Sequence, residues 1–132
     1  GTFKPIKSND LEKHKMHHEQ FLVKRSLIDK INSTRKKNNR ILSIGTTVVR
    51  ALESVAIDKE KIDKWSSTSL FIKDDFDFKL TDCLLTNFHL PKSTLLVLVS
   101  SFLGYELTME CYQIAIKEKM RFFSYGDAML IL

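Results

Sequence analysis

The segment Ile41-Leu42-Ser43-Ile44-Gly45-Thr46-Thr47 constrains this chain more than any other. A short apolar run meets a glycine and two threonines, and apolar residues then return at Val48, Val49, Leu52, Val55 and Ala56. The run reads as a buried strand and the later spacing as one face of a helix, so the unit is strand, glycine turn, helix. The same order recurs downstream. Cys83-Leu84-Leu85-Thr86 leads through a polar loop into the apolar stretch from Thr94 to Leu103, which Gly104 closes. Strands alternating with helices need crossover connections, which predicts an α/β fold with a mostly parallel sheet flanked by helices.

The remaining segments fit around that frame. Thr2 to Lys7, holding Pro5, reads as an edge or terminal strand, and Met16 to Lys24 as a strand through Phe21-Leu22-Val23. Ser26 with Asp29 resembles a capping box opening a helix that Lys36-Lys37-Asn38-Asn39-Arg40 ends. Lys59 to Ser67 is a charged connection carrying Trp65, and Leu70-Phe71-Ile72 and Phe76-Asp77-Phe78 read as strands around Lys73-Asp74-Asp75. Thr108 caps a last amphipathic helix reaching Lys119, and Ala128 to Leu132 suits a buried strand.

With 132 residues, 43% hydrophobic and 28% charged, the chain cannot be a disordered or collagen-like polymer. A domain of this size buries about two thirds of its unfolded surface and needs no disulfide or metal staple. Cys83 and Cys111 stand far apart with no C-x-x-C, which excludes a cysteine-based zinc site and suits the reducing cytoplasm. The longest apolar runs, Leu95 to Val99 and Ala128 to Leu132, fall far below the roughly 20 residues of a membrane span, so a soluble protein with no membrane partner is expected. The net charge of +5 and pI near 9.2 fit an anionic partner without demanding one. Gly1 stands where Met would open a whole chain and Thr2-Phe3 already reads as strand, so a piece of a longer protein is expected.

Candidate chemistry concentrates in a few places. At Gly45-Thr46-Thr47 a helix start turns its free N–H groups and the positive end of its dipole outward. Thr46 and Thr47 add hydroxyls, and Arg50, one turn in, can fork around a carboxylate or phosphate. The plainer alternative is a threonine cap with Arg50 paired in solvent to Glu53. The loop Asn87-Phe88-His89-Leu90-Pro91-Lys92-Ser93 packs an amide, an imidazole, an ammonium and a hydroxyl at the carboxyl end of a strand, where open α/β sheets bind ligands. Parallel neighbouring strands would place it on one rim with Gly45-Thr46-Thr47. Its plainer alternative has Ser93 as a helix cap, Pro91 as a stiff turn and His89 as a satisfied surface group. His14, His17, His18 and Glu19 offer no third ligand at a workable spacing, so no metal is expected and an imidazole contacting substrate is favoured. Arg121-Phe122-Phe123-Ser124-Tyr125-Gly126-Asp127 joins aromatics to an arginine, as sites for unpaired nucleotides do, while Phe122 and Phe123 equally suit a core. Arg35-Lys36-Lys37 with Arg40 is a solvated helix end or a phosphate contact.

In chain order, Gly1-Thr2-Phe3, Met16-His17, Gly45-Thr46-Thr47 with Arg50, the segment Thr86 to Thr94 and the segment Arg121 to Met129 resemble motifs of the S-adenosylmethionine:tRNA ribosyltransferase-isomerase family of queuosine biosynthesis. The resemblance runs nearly end to end here but matches only the C-terminal part of the family's length. Departures fall at His18, where a small residue is usual, at Val48, where a small polar residue is commoner, and at Lys73-Asp74-Asp75, in place of a Pro-Gly turn. The resemblance implies that residues 1–132 are the C-terminal part of the α/β domain of a larger two-domain enzyme, whose N-terminal part and β-barrel domain lie outside this chain. It further implies transfer and isomerisation of the ribosyl unit of S-adenosylmethionine onto the aminomethyl-7-deazaguanine base in the tRNA anticodon loop. The products would be epoxyqueuosine, adenine and methionine, with S-adenosylmethionine consumed as a substrate and no cofactor.

Such a reaction needs a base for a proton activated by the sulfonium, an acid for departing adenine, and groups that hold the methionine carboxylate and the anticodon. His89 and His17 are the candidates for proton transfer. Thr46, Thr47 and Arg50 suit an anionic substrate group, Asn87, Lys92 and Ser93 positioning, and Arg121, Tyr125 and Asp127 base or ribose contacts. A tRNA-binding module without catalysis and a generic α/β anion-binding domain are the alternatives. An uncovered sheet edge in a partial domain also favours self-association.

Overall fold

The computed structural model describes residues 16–73 and 75–132. The strand expected at Thr2 to Lys7, His14 and the Gly1-Thr2-Phe3 motif lie outside the described residues. In chain order the elements are β1 (Glu19–Phe21), α1 (Arg25–Arg35), β2 (Leu42–Ile44), α2 (Thr46–Ile57), β3 (Ser66–Thr68), β4 (Cys83–Asn87), α3 (Thr94–Leu103), α4 (Tyr105–Lys117) and β5 (Ala128–Ile131), with 3-10 turns at Lys59–Lys61 and Phe123–Tyr125. Both strand-to-helix units expected from the sequence are present.

The sheet corrects the expectation of a mostly parallel one. β2 and β4 run parallel, with Ser43 opposite Leu84, but β5 lies antiparallel on the other side of β4, and β1 with β3 makes a separate antiparallel pair. The cause is the α3/α4 pair, bent by 117°, which returns the chain to the end of the sheet where it left β4. Ala128, the first residue of β5, therefore pairs with Asn87, the last of β4. Among the described residues no single helix is long and apolar enough to cross a membrane.

The helices cover one face of the three-stranded sheet. Leu84 and Ile131 on that face pack with Val49 of α2, Leu98 and Val99 of α3, and Ile72. Ser43 shares the face and is satisfied there by the Thr81 hydroxyl at 2.9 Å. The other side of α2 turns Leu52 and Val55 into a second cluster with Phe21, Val23, Ile31 and Ile62. Helix α2 thus links both cores, and each buried aliphatic side chain there stabilises the fold by about 1.5–3 kcal/mol.

Local expectations fail where distant groups take over. Helix α1 starts at Arg25, with no side-chain bond from its cap residue Lys24, so the Ser26 capping box does not form. Asp63 replaces it from across the fold, accepting the Arg25 N–H at 2.9 Å. Helix α4 starts at Tyr105 rather than after Thr108, because Gly104 both ends α3 and opens α4. The Thr108 hydroxyl donates back to the Gly104 carbonyl at 2.7 Å. Leu70-Phe71-Ile72 and Phe76-Asp77-Phe78 form no strands. Leu70, Ile72, Phe76 and Phe78 pack into the core instead, Phe78 standing edge-on to Phe76 and Phe102. Backbone groups near them are satisfied by side chains: Glu53 accepts from the N–H groups of Lys79, Leu80 and Thr81 at 2.8–3.0 Å.

Candidate active site at one end of the three-stranded sheet

Parallel pairing puts the carboxyl ends of β2 and β4 together, and β5 adds its amino end, so the polar segments leaving these strands meet on one rim. Gly45 extends the β2–β4 ladder, donating to the Leu85 carbonyl at 2.8 Å before α2 begins. It adopts φ +91° with open space around its missing side chain, a conformation that favours glycine. The alternative of a threonine cap is not met: the cap residue of α2 is Gly45, which makes no side-chain cap bond. Thr46 is buried and Thr47 exposed at that start.

Arg50 is not the solvent-exposed partner of Glu53. Its side chain is 2% exposed, with Nη1 donating to Glu19 at 2.7 Å and Nε to the Leu70 carbonyl at 3.0 Å. Its buried Nη2 has no hydrogen-bond partner among the described residues. Burial pulls this guanidinium below its ordinary pKa, and the Glu19 carboxylate opposes the shift. Glu19 opens β1, so this ion pair ties β1 to α2, and His17 lies exposed just upstream of that strand. Sequence reasoning missed the pair because its members stand 31 residues apart.

The loop after β4 is ordered by its own side chains. Asn87 donates from Nδ2 to the Asp127 carbonyl at 3.1 Å. Ser93 caps α3, accepting from the Leu96 N–H at 3.1 Å while its hydroxyl donates to the Leu90 carbonyl at 2.7 Å. Lys92 is exposed at φ +57° in the turn before α3. His89 is buried rather than a surface group. Its Nε2 lies 3.0 Å from the Thr86 hydroxyl and its backbone N–H donates to the Tyr112 hydroxyl at 2.9 Å. Desolvation lowers its pKa from 6.5 to about 4, so the imidazole is neutral at physiological pH. Burial likewise raises the Tyr112 phenol, a shift that the hydrogen bond from the His89 backbone opposes.

The third segment closes on itself. The Asp127 carboxylate accepts from the Arg121 backbone N–H at 2.5 Å and from its guanidinium at 3.2 Å, through Nε and again through Nη2. This contact raises the pKa of Arg121 and lowers that of Asp127. Gly126 sits inside the clasp at φ +123°, where a side chain would come within 3.2 Å of Arg121. The Phe123 N–H donates to the Phe88 carbonyl at 2.9 Å, tying this loop to the one after β4. Phe122 packs against Phe88 and Tyr112 as core, which leaves Phe123 and Tyr125 as the exposed aromatics of the loop.

The basic run is not brought to the rim. Arg35 forks onto Asp82, and Asp82 also accepts from the Ile41 N–H at 2.8 Å. These contacts hold the run beside the start of β2, at the opposite end of the strand, with Lys36, Lys37 and Arg40 exposed. Among the described residues no group of three or more His, Cys, Asp or Glu is arranged to hold a metal ion.

Known proteins place this geometry in context. The chain is 52% identical over 132 residues to an S-adenosylmethionine:tRNA ribosyltransferase-isomerase of Thermotoga petrophila, spanning 39% of that protein. It is 53% identical over 131 residues to one of Coxiella burnetii, spanning 38%. A crystal structure of S-adenosylmethionine tRNA ribosyltransferase from Thermotoga maritima superposes with a TM-score of 0.79 at 50% identity, over 87% of this chain and 40% of that one. The chain therefore spans about two fifths of the length of these relatives. The model of a family described as queuosine biosynthesis protein matches residues 1–131, and this chain belongs to that family.

Proposed function

We propose that this chain is the C-terminal part of the α/β domain of an S-adenosylmethionine:tRNA ribosyltransferase-isomerase, with a β-barrel domain in the portion outside it. The enzyme moves and isomerises the ribosyl unit of S-adenosylmethionine onto the aminomethyl-7-deazaguanine base of a tRNA anticodon loop, yielding epoxyqueuosine, adenine and methionine. S-adenosylmethionine is a substrate, no cofactor takes part, and the reaction is cytoplasmic. The observation that carries this reading is the junction of three polar segments on one rim, in a chain that matches relatives bearing this name over its whole length.

On this reading the start of α2, with Thr46 and Thr47, receives an anionic group of substrate, and Arg50 adds positive charge from beneath. His89 and His17 serve the acid and base tasks. Asn87, Lys92 and Ser93 shape the loop after β4 on that rim. Tyr125 offers a ring to a splayed base, and the Arg121–Asp127 clasp holds its own loop closed. The test incubates the full-length enzyme with target tRNA and S-adenosylmethionine and follows tRNA mass and free adenine. A mass gain with adenine release is expected. Retention of tRNA without a mass gain would make the protein a binding module, and phosphate binding with no tRNA affinity would make it a generic anion-binding domain.

A further inference from the structure

Resting on the catalytic reading of His89, we infer that Thr86 is a positioning residue that locks this imidazole as the neutral Nδ1–H tautomer, with Tyr112 holding its backbone, so that it serves as a hydrogen-bond donor to departing adenine while His17 is the base. Thr86 is 4% exposed, and the sole hydrogen-bond partner of its hydroxyl side-chain donor among the described residues is His89 Nε2 at 3.0 Å. A buried hydroxyl proton left unpaired is costly, so the hydroxyl donates and Nε2 accepts. A neutral ring whose Nε2 accepts carries its proton on Nδ1. The Tyr112 hydroxyl fixes the other half of the residue, accepting the His89 backbone N–H at 2.9 Å while its ring stands edge-on to Phe88 at 5.3 Å.

The step balances without a charged histidine. The pair freed by the proton that His17 removes shifts through the ribosyl unit to the carbon that held adenine. The bond to adenine breaks with its own pair on the adenine nitrogen, and the Nδ1–H hydrogen bond stabilises the charge that develops there. No proton leaves the ring, and solvent supplies the one that adenine finally carries. His17, exposed upstream of β1, is left to take the proton activated by the sulfonium.

The test uses full-length enzyme with ¹⁵N-labelled histidine, the His89 signal being assigned by its loss in His89→Gln. Wild type should give the Nδ1–H pattern at pH 7. Thr86→Val should yield a mixture of tautomers and lower kcat by about tenfold or more with KM little changed, since a wrong tautomer disables an otherwise intact histidine. Thr86→Ser should restore both. An Nε2–H pattern in wild type, or a Thr86→Val enzyme unchanged in tautomer and kcat, would overturn the inference while leaving a slow His89→Gln enzyme to support the catalytic reading. Full turnover in His89→Ala would overturn that reading and the donor role together.

Discussion

Arg50 and His89 illustrate how burial changes what a residue can be asked to do. Arg50 sits beneath the rim with Glu19 as its counter-ion, and removing one member of such a pair strands the other. Arg50→Met should therefore destabilise the protein by about 3–5 kcal/mol, read as a lowered urea midpoint, whereas Arg50→Lys should keep part of the loss at bay. An unchanged midpoint would mean that Glu19 is satisfied without it. His89 makes a pH prediction. Its folded pKa of about 4 lies below the ordinary 6.5, so between these values the unfolded chain binds a proton that the folded protein refuses. Stability is full above pH 6.5 and falls toward pH 4 by up to about 3 kcal/mol, at 1.36 kcal/mol per unit. His89→Gln should flatten that part of the curve, and an equally steep curve in the variant would assign the loss to other groups.

Among the elements, the segment from Leu70 to Thr81 depends most on a side chain outside it. The Glu53 carboxylate is fully buried and accepts three backbone N–H groups that a strand ladder would otherwise satisfy. A glutamine there keeps one acceptor oxygen and presents an amide to donors. Glu53→Gln should cost at least about 2 kcal/mol and speed amide exchange at Lys79, Leu80 and Thr81 ahead of β4. Exchange rates unchanged at those amides would refute the clasp. What was legible in the sequence follows the same division. The two strand-to-helix units, the Gly104 break and the Ser93 cap are written in neighbouring residues and were readable there. The packing of Leu70, Ile72, Phe76 and Phe78 without a strand, the Asp63 cap on α1 and the Glu19–Arg50 pair rest on partners far along the chain, which no local pattern encodes. The reversal of β5 was hidden for a related reason: strand direction depends on how α3 packs on α4, and that angle is a tertiary property.

At the scale of the whole molecule, the two ends of the β2–β4 pair divide the labour. One end gathers the histidine, the α2 start and the Arg121–Asp127 clasp, and the other carries Lys36, Lys37 and Arg40 in solvent. On the proposed reading those cations reach tRNA phosphates distant from the reacting base. Replacing all of them by Ala in the full-length enzyme should raise KM for tRNA and shrink the salt dependence of binding by roughly 0.7–0.9 log units per lost contact, with kcat unchanged. A drop in kcat instead would place them at the reacting end. The central claim is that chemistry occurs at the rim and runs through the His89 loop. Its most direct test is single-turnover adenine release by full-length His89→Gln at saturating S-adenosylmethionine and tRNA. The account predicts a rate lowered by about 10²-fold or more with tRNA still bound, and a rate equal to wild type would contradict it.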